Sequence, residues 1–78
     1  SSMERSGKQR LTIANKNTPG MIEKITHLLS ESNLNISDMI NKSKGNIAYN
    51  IIDLDCEVKD DLMKKIQSIE GIISVRVI

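Results

Sequence analysis

The 78-residue chain has few of the residues on which several kinds of site depend. It has one aromatic residue, Tyr49, and one cysteine, Cys56. One aromatic side chain is too few to stack the bases of an RNA, and one cysteine can form neither an internal disulfide nor a CxxC metal or redox site. No apolar run approaches the ~20 residues of a membrane span, and no signal peptide is visible. We therefore expect a cytoplasmic protein without a membrane partner.

Charge gives no reason to expect a nucleic-acid partner either. Eleven basic and ten acidic residues leave a formal net charge of +1. Hydrophobic residues make up 38% and charged residues 27%, which is the balance of a globular domain. The length allows one domain with a small core. Residues 1–9 are polar and lack periodicity, so we interpret them as a linker or cloning remnant and residues 10–78 as the domain.

Hydrophobic periodicity predicts six elements in the order βαββαβ. Thr18 is predicted as the N-cap of the first helix with Pro19 at its first position, and Asn33 as its left-handed stop. The predicted strands are 10–15, 35–42, 47–56 and 73–78, and the predicted helices are 19–32 and 59–70. This is an α+β, ferredoxin-like domain with a four-stranded antiparallel sheet in the order 4-1-3-2 and both helices on one face. The second strand lies at an edge, where another subunit can pair with it.

Ferredoxin-like domains carry unrelated functions, so the site residues must decide between them. A heavy-metal-binding domain needs paired cysteines after the first strand, and an acylphosphatase needs an arginine there; this chain has Asn15, Lys16 and Asn17. His27 is interpreted as a solvated helix residue and Cys56 as a small, partly buried hydrophobe. Asp53 with Asp55, and Asp60 with Asp61, are interpreted as exterior or helix-start charges. No catalytic residues, metal site or cofactor are therefore expected in this domain.

The loop after the first strand is the best candidate for a binding site. Residues 15–20, NKNTPG, place two carboxamides directly before a helix N-terminus, where backbone N–H groups and the helix dipole favour a carboxylate. Carboxamides offer donors and acceptors together, so they suit a zwitterion. Gly20 leaves the backbone open to a ligand. A capped turn with locally bonded asparagines is the alternative.

At these residues the chain resembles a known family. The segments NKNTPGM (15–21), LNI (34–36), AYNIIDLD (48–55) and IEGIISVRV (69–77) resemble ACT domains. Within that family they are similar to the C-terminal regulatory domain of D-3-phosphoglycerate dehydrogenases, over about residues 10–78. Asn-Xaa-Pro-Gly marks ACT domains in general, and the other segments point to the dehydrogenase group.

The resemblance implies a non-catalytic, allosteric domain that senses L-serine for feedback inhibition of serine biosynthesis. Its parent would be an NAD-dependent oxidoreductase whose cofactor binds elsewhere. The family's serine site matches Asn17 in the loop and Asn35 of a partner subunit, in a homodimer formed through edge strands. The family's loop histidine is replaced here by Asn15, and Pro19 and Gly20 complete the expected ligand-binding set.

Two other functions remain open at this point. The domain would be a dimerisation module without a ligand if the exchange of histidine for Asn15 abolishes serine binding. Alternatively, it senses a different amino acid for another metabolic enzyme.

Overall fold

A computed structural model of the protein describes residues 8–78. All six predicted elements are present in the predicted order, with bounds that differ by a few residues. They are β1 (Gln9–Lys16), α1 (Met21–Glu31), β2 (Ile36–Lys44), β3 (Ile47–Leu54), α2 (Asp60–Gln67) and β4 (Ile72–Val77). Most of the predicted linker, residues 1–7, lies outside the described residues. None of the helices within residues 8–78 has the length and apolar character to span a membrane.

The four strands form one antiparallel sheet in the order β2-β3-β1-β4. This is the predicted order read from the opposite edge, so the ferredoxin-like architecture is confirmed. β3 is central and pairs with both β1 and β2, with Leu11 opposite Ile52 and Met39 opposite the same Ile52. β2 is an edge strand, as predicted.

The core lies between the sheet and the two helices. Helix α1 contributes Met21, Ile25 and Leu29, which lie four residues apart and therefore share one helix face. The most fully buried apolar side chains are Leu11, Ile13, Ile25, Leu29, Ile52, Leu54 and Ile66. Burying each of these aliphatic side chains stabilises the fold by about 1.5–3 kcal/mol, so this small aliphatic core supplies most of the driving force for folding.

The predicted start of α1 is wrong in detail. Gly20, not Thr18, is the N-cap residue, and its φ of 84° and ψ of −2° are left-handed. These angles match the third residue of a type II turn, in which proline is favoured second and glycine third. Pro19 and Gly20 therefore close a turn before the helix, and the first helical residue is Met21.

The predicted end of α1 is confirmed. Asn33 has a φ of 60°, and its N–H donates to the carbonyl of Ser30 at 3.0 Å. The N–H of Leu34 donates to the carbonyl of Leu29 at 3.0 Å, which completes a Schellman motif. Leu34 also packs against the core, so the helix end is fixed by both backbone bonds and apolar contact.

Asp53 is not the exterior charge that the sequence pattern indicated. It is fully buried on the sheet face opposite the helices, directly across from Arg10. Arg10 donates to it from Nε at 2.7 Å and from Nη2 at 3.0 Å. This bidentate hydrogen bond raises the pKa of the Arg10 guanidinium above its ordinary value. The long Arg10 side chain covers the carboxylate, which an alternation pattern cannot reveal.

Candidate ligand-binding site

A cleft of about 570 Å³ lies at the start of α1. We call it the asparagine cleft. Its walls come from three sources: the loop of residues 17–20, the first turns of α1 with Glu23 and Thr26, and the sheet with Asn15, Asn41 and Ala48. The cleft therefore combines backbone at a helix start with three carboxamide side chains.

The loop is held in place by hydrogen bonds on both sides. The N–H of Lys16 donates to the carbonyl of Gly71 at 2.8 Å, which ties the loop to the chain before β4. The N–H of Asn17 donates to the carbonyl of Asn46 at 2.8 Å, and its Nδ2 donates to the carbonyl of Gly45 at 3.2 Å. These bonds join the loop to the β2–β3 turn, so the loop wall of the cleft is fixed by two neighbouring segments of the chain.

The start of α1 is open to an anion. Gly20 has no side chain with which to cap the first N–H groups, and a Cβ placed on it would have no neighbour within 4 Å among the described residues. The N-terminus of a helix carries a partial positive charge, so it favours a carboxylate. Glu23, the acidic residue of the first turn, adds a negative charge on the same wall.

Three asparagines form a chain of hydrogen bonds across three strands. Asn41 Nδ2 donates to Asn50 Oδ1 at 2.6 Å, and Asn50 Nδ2 donates to Asn15 Oδ1 at 2.7 Å. Asn15 Nδ2 then donates to the carbonyl of Lys16 at 2.8 Å. Asn15 and Asn50 are each 1% exposed, whereas Asn41 is exposed. We call Asn41, Asn50 and Asn15 the asparagine ladder.

The structure brings four of the five expected ligand-binding residues together. Asn15, Asn17, Pro19 and Gly20 all line the asparagine cleft. Asn35 lies before β2, where its backbone exchanges hydrogen bonds with Asp55, and it lines a neighbouring shallow cleft that shares Glu23 and Thr26 with the asparagine cleft. Within one chain it therefore does not line the asparagine cleft with the other four, and its contribution from a second subunit stays a prediction.

Asparagines 41 and 50 were not anticipated from the sequence, although a signal was present. Asn50 lies between Ala48 and Ile52 in the alternation of β3, so it faces the helices with them. A buried carboxamide needs hydrogen-bond partners, and the neighbouring strands are the place to find them. In the strand register, Asn41 of β2 lies directly opposite Asn50. On the other side of β3, Ile13 of β1 lies opposite Asn50, and Asn15 follows two residues later.

A second cleft, of about 650 Å³, lies at the start of α2, and we call it the α2 cleft. It is lined by charges of both signs, including Lys59, Lys65 and Asp61, together with the thiol of Cys56. Cys56 lies beyond the end of β3 and is exposed, so its expected partial burial is wrong. Partial desolvation, and then the Asp55 carboxylate 3.6 Å from Sγ, raise the pKa of this thiol.

The single histidine of the chain, His27, lies in α1. His27 is exposed, as expected, and lies 3.5 Å from Glu31 one turn further along α1. Within residues 8–78, no three His, Cys, Asp or Glu side chains are arranged as metal ligands would be.

No family model matches the chain. Two curated proteins are similar to it, and both are D-3-phosphoglycerate dehydrogenases. The protein of Haemophilus influenzae is 31% identical over 75 residues, which cover 96% of this chain and 18% of that protein. The protein of Dictyostelium discoideum is 33% identical over 69 residues, which cover 88% of this chain and 16% of that protein. The chain thus spans less than a fifth of the length of these relatives.

A solved structure with the same architecture is the ACT domain of the GTP pyrophosphokinase from Chlorobium tepidum. It superposes with a TM-score of 0.75, covering 90% of this chain and 95% of that domain at 22% identity. The chain has the ACT-domain fold. The resemblance noted in the sequence is thereby confirmed, both for the ACT fold and for the similarity to D-3-phosphoglycerate dehydrogenases.

Proposed function

We propose that this ACT domain is the allosteric regulatory domain of a D-3-phosphoglycerate dehydrogenase and binds L-serine at a dimer interface for feedback inhibition. The observation that carries the proposal is the asparagine cleft, in which Asn17 and the uncapped start of α1 lie together. The proposal extends to a cytoplasmic parent enzyme that oxidises its substrate with NAD in separate domains. Residues 1–9 would then connect the ACT domain, residues 10–78, to them.

The polarity of the cleft fits an amino-acid zwitterion. The carboxylate of the ligand would accept hydrogen bonds from the N–H groups at the start of α1, beside Gly20. The ammonium group needs acceptors, and the Glu23 carboxylate and carboxamide oxygens line the same cleft. A small side chain with a hydroxyl group, such as that of serine, would find an amide partner in Asn17, while the buried Asn15 would support the cleft through its bonds to Asn50 and Lys16.

Pairing of β2 edges would bring Asn35 of the partner subunit to this cleft. If a two-fold axis passes through Ile40, the middle residue of β2 (Ile36–Lys44), position 35 of one strand lies opposite position 45 of the other. Gly45 is the residue whose carbonyl accepts the hydrogen bond from Asn17. The partner's Asn35 would therefore close the cleft beside Asn17, and the two edges would join into one eight-stranded sheet.

Regulation would follow from differential affinity. A ligand shared between two subunits stabilises the arrangement in which both halves of its site are in contact. The catalytic domains then sense which arrangement the paired ACT domains adopt, with a coupling free energy that is typically about 1–3 kcal/mol.

A second candidate function is a dimerisation module that binds no ligand. It is favoured by the local bonding of Asn15 and Asn17, whose amide nitrogens already donate to the carbonyls of Lys16 and Gly45. An ACT domain that senses another amino acid is the third. A thermal-shift panel of the twenty amino acids separates these functions, because a ligand at 100 times its dissociation constant adds about 2.7 kcal/mol of stability.

The direct experiment is calorimetric titration of the folded chain with L-serine. We expect binding at millimolar or lower concentration, and a loss of at least about tenfold in affinity for Asn17→Ala, because a hydrogen bond to a charged or polar ligand group contributes about 1.5 kcal/mol. Gln67→Ala, which removes an exposed carboxamide from α2, is the matched control and should bind as the wild type does.

Two results would contradict the proposal. A folded, dimeric wild type that gives no heat with millimolar L-serine excludes serine as the ligand. An Asn17→Ala variant with unchanged affinity shows that the asparagine cleft is not the site. Sedimentation of the same samples measures the dimer independently of the ligand.

A further inference from the structure

The asparagine ladder has a direction, and its direction is fixed by the backbone. It ends on the carbonyl of Lys16, which can only accept, so Asn15 must turn its Nδ2 toward that carbonyl. The Oδ1 of Asn15 then accepts from Asn50, whose own Oδ1 accepts from Asn41. The orientation of each carboxamide is thus determined by the next one, back to the exposed Asn41.

Asn41 is the ladder member that a ligand can reach. It is exposed and lines the asparagine cleft, while Asn15 and Asn50 are buried. An exposed asparagine ordinarily rotates freely, but the 2.6 Å hydrogen bond from its Nδ2 to Asn50 holds this one. Asn41 therefore offers its Oδ1 as an acceptor in a fixed orientation, which lowers the entropy cost of binding.

The ladder also determines which type of ligand group can form a hydrogen bond with Asn41 Oδ1. Each carboxamide is a donor to the next, so a donor placed on Asn41 Oδ1 extends the chain of aligned dipoles and strengthens it. An ammonium or hydroxyl group is such a donor, and a carboxylate is not. The opposite wall, at the start of α1, has the reverse preference and favours the carboxylate.

We propose that Asn41 is a specificity-determining residue of the asparagine cleft, and that its Oδ1 accepts a hydrogen bond from a donor group of an amino-acid ligand. This proposal rests on the proposed function, since it assigns a contact within that site. Asn50 and Asn15 act as positioning residues, because they orient Asn41.

The test compares two single variants in the same calorimetric titration with L-serine. Asn41→Ala removes the acceptor, and we expect its affinity to fall by about tenfold or more. Lys42→Ala changes the next residue of β2, which pairs with Tyr49 on the opposite sheet face, and should bind as the wild type does. Circular dichroism and a ¹⁵N–¹H spectrum establish that both variants are folded.

The ¹⁵N–¹H signals of the asparagine side chains distinguish a direct contact between Asn41 and L-serine from a purely structural role of Asn41. At saturating L-serine, the side-chain signals of Asn41 should shift in the wild type, followed by smaller shifts of Asn50 through the polarised ladder. In Asn41→Ala with the same fraction of protein bound to L-serine, the side-chain signals of Asn50 should not shift relative to the free variant. If the side-chain signals of Asn41 do not shift when the wild type is saturated with L-serine, the inference is overturned.

Failure of this inference differs from failure of the proposed function. If Asn17→Ala weakens binding and Asn41→Ala does not, the asparagine cleft remains the serine site but Asn41 is not part of its recognition. If the wild type binds no amino acid, the proposed function fails, and the inference that rests on it fails as well.

Discussion

Both helices begin at a cleft, but the left-handed Gly20 precedes α1 and the extended Lys59 precedes α2, and the charges around the two starts differ. Neither N-cap residue, Gly20 for α1 or Lys59 for α2, forms a side-chain capping hydrogen bond within residues 8–78, and each helix start lies at a cleft. The first turn of α2 contains Asp60 and Asp61, and Asp61 Oδ1 accepts from the N–H of Leu62 at 3.0 Å. Helix α2 therefore supplies its own negative charge.

The start of α1 faces carboxamides instead. Asn15, Asn17 and Asn41 are neutral, and the acid of the first turn, Glu23, lies on the wall of the cleft. The first turn of α1 has one carboxylate, whereas that of α2 has two, one of which accepts a hydrogen bond from its own helix. The positive end of the α1 dipole is therefore less compensated than that of α2 and better suited to an external carboxylate. The comparison indicates that both helix starts lie at clefts and differ in backbone conformation, and that the balance of side-chain charge makes α1 the better site for an anion.

The largest effect is expected from breaking the ladder at its centre. Asn50→Ala removes both of its hydrogen bonds and leaves the buried Oδ1 of Asn15 without its donor, which should lower the free energy of unfolding by about 2–3 kcal/mol. Urea denaturation measures this change. The counterpart at the other helix start, Asp61→Ala, removes an exposed carboxylate and should cost less than about 1 kcal/mol. Equal losses in the two variants would show that the ladder is not a special stabilising feature.

A smaller loss is expected for Gly20→Ala. The left-handed backbone at φ 84° disfavours any residue with a Cβ, although the added methyl meets no described atom within 4 Å. The cost should therefore come from the backbone alone, about 1–2 kcal/mol in the free energy of unfolding. Thermal or urea unfolding measures it, and a variant as stable as the wild type would contradict the type II turn at this position.

The smallest effect concerns reactivity at the α2 cleft. Because the pKa of the Cys56 thiol is raised, a smaller fraction is thiolate near neutral pH, and alkylation by iodoacetamide should be slower in the native chain than in urea. Asp55→Asn removes one of the causes and should speed the native reaction. A native thiol that reacts as fast as the unfolded one would contradict the raised pKa.

The fold could be predicted because local patterns agree with one another. The spacing of Met21, Ile25 and Leu29 indicates a helix face, and the alternation in β1 and β3 indicates strands. The sequence predicts a start of α1 at Pro19, two residues too early, because Thr18 and Pro19 also fit a capped helix. Only the left-handed Gly20 shows that they belong to a preceding turn.

The sequence predicts only part of the candidate site, because the other residues of the site are brought together by the register between neighbouring strands. Asn17 and Gly20 are adjacent in sequence to the helix start, so the motif reveals them. The partnership of Asn41 with Asn50 depends on how β2 aligns with β3, including an irregularity between Ile36 and Asp38 that the sequence does not show. The burial of Asp53 likewise depends on the cross-strand Arg10, 43 residues away in the chain.

A ¹⁵N–¹H titration of the folded chain with L-serine compares the two helix starts in one experiment. We expect saturable shifts of the backbone amides of Asn17, Gly20 and Met21, with the amides of Asp60 and Asp61 at the start of α2 unchanged. Shifts confined to the α2 cleft, or no saturable shift at the start of α1, would contradict the assignment of the asparagine cleft as the amino-acid site.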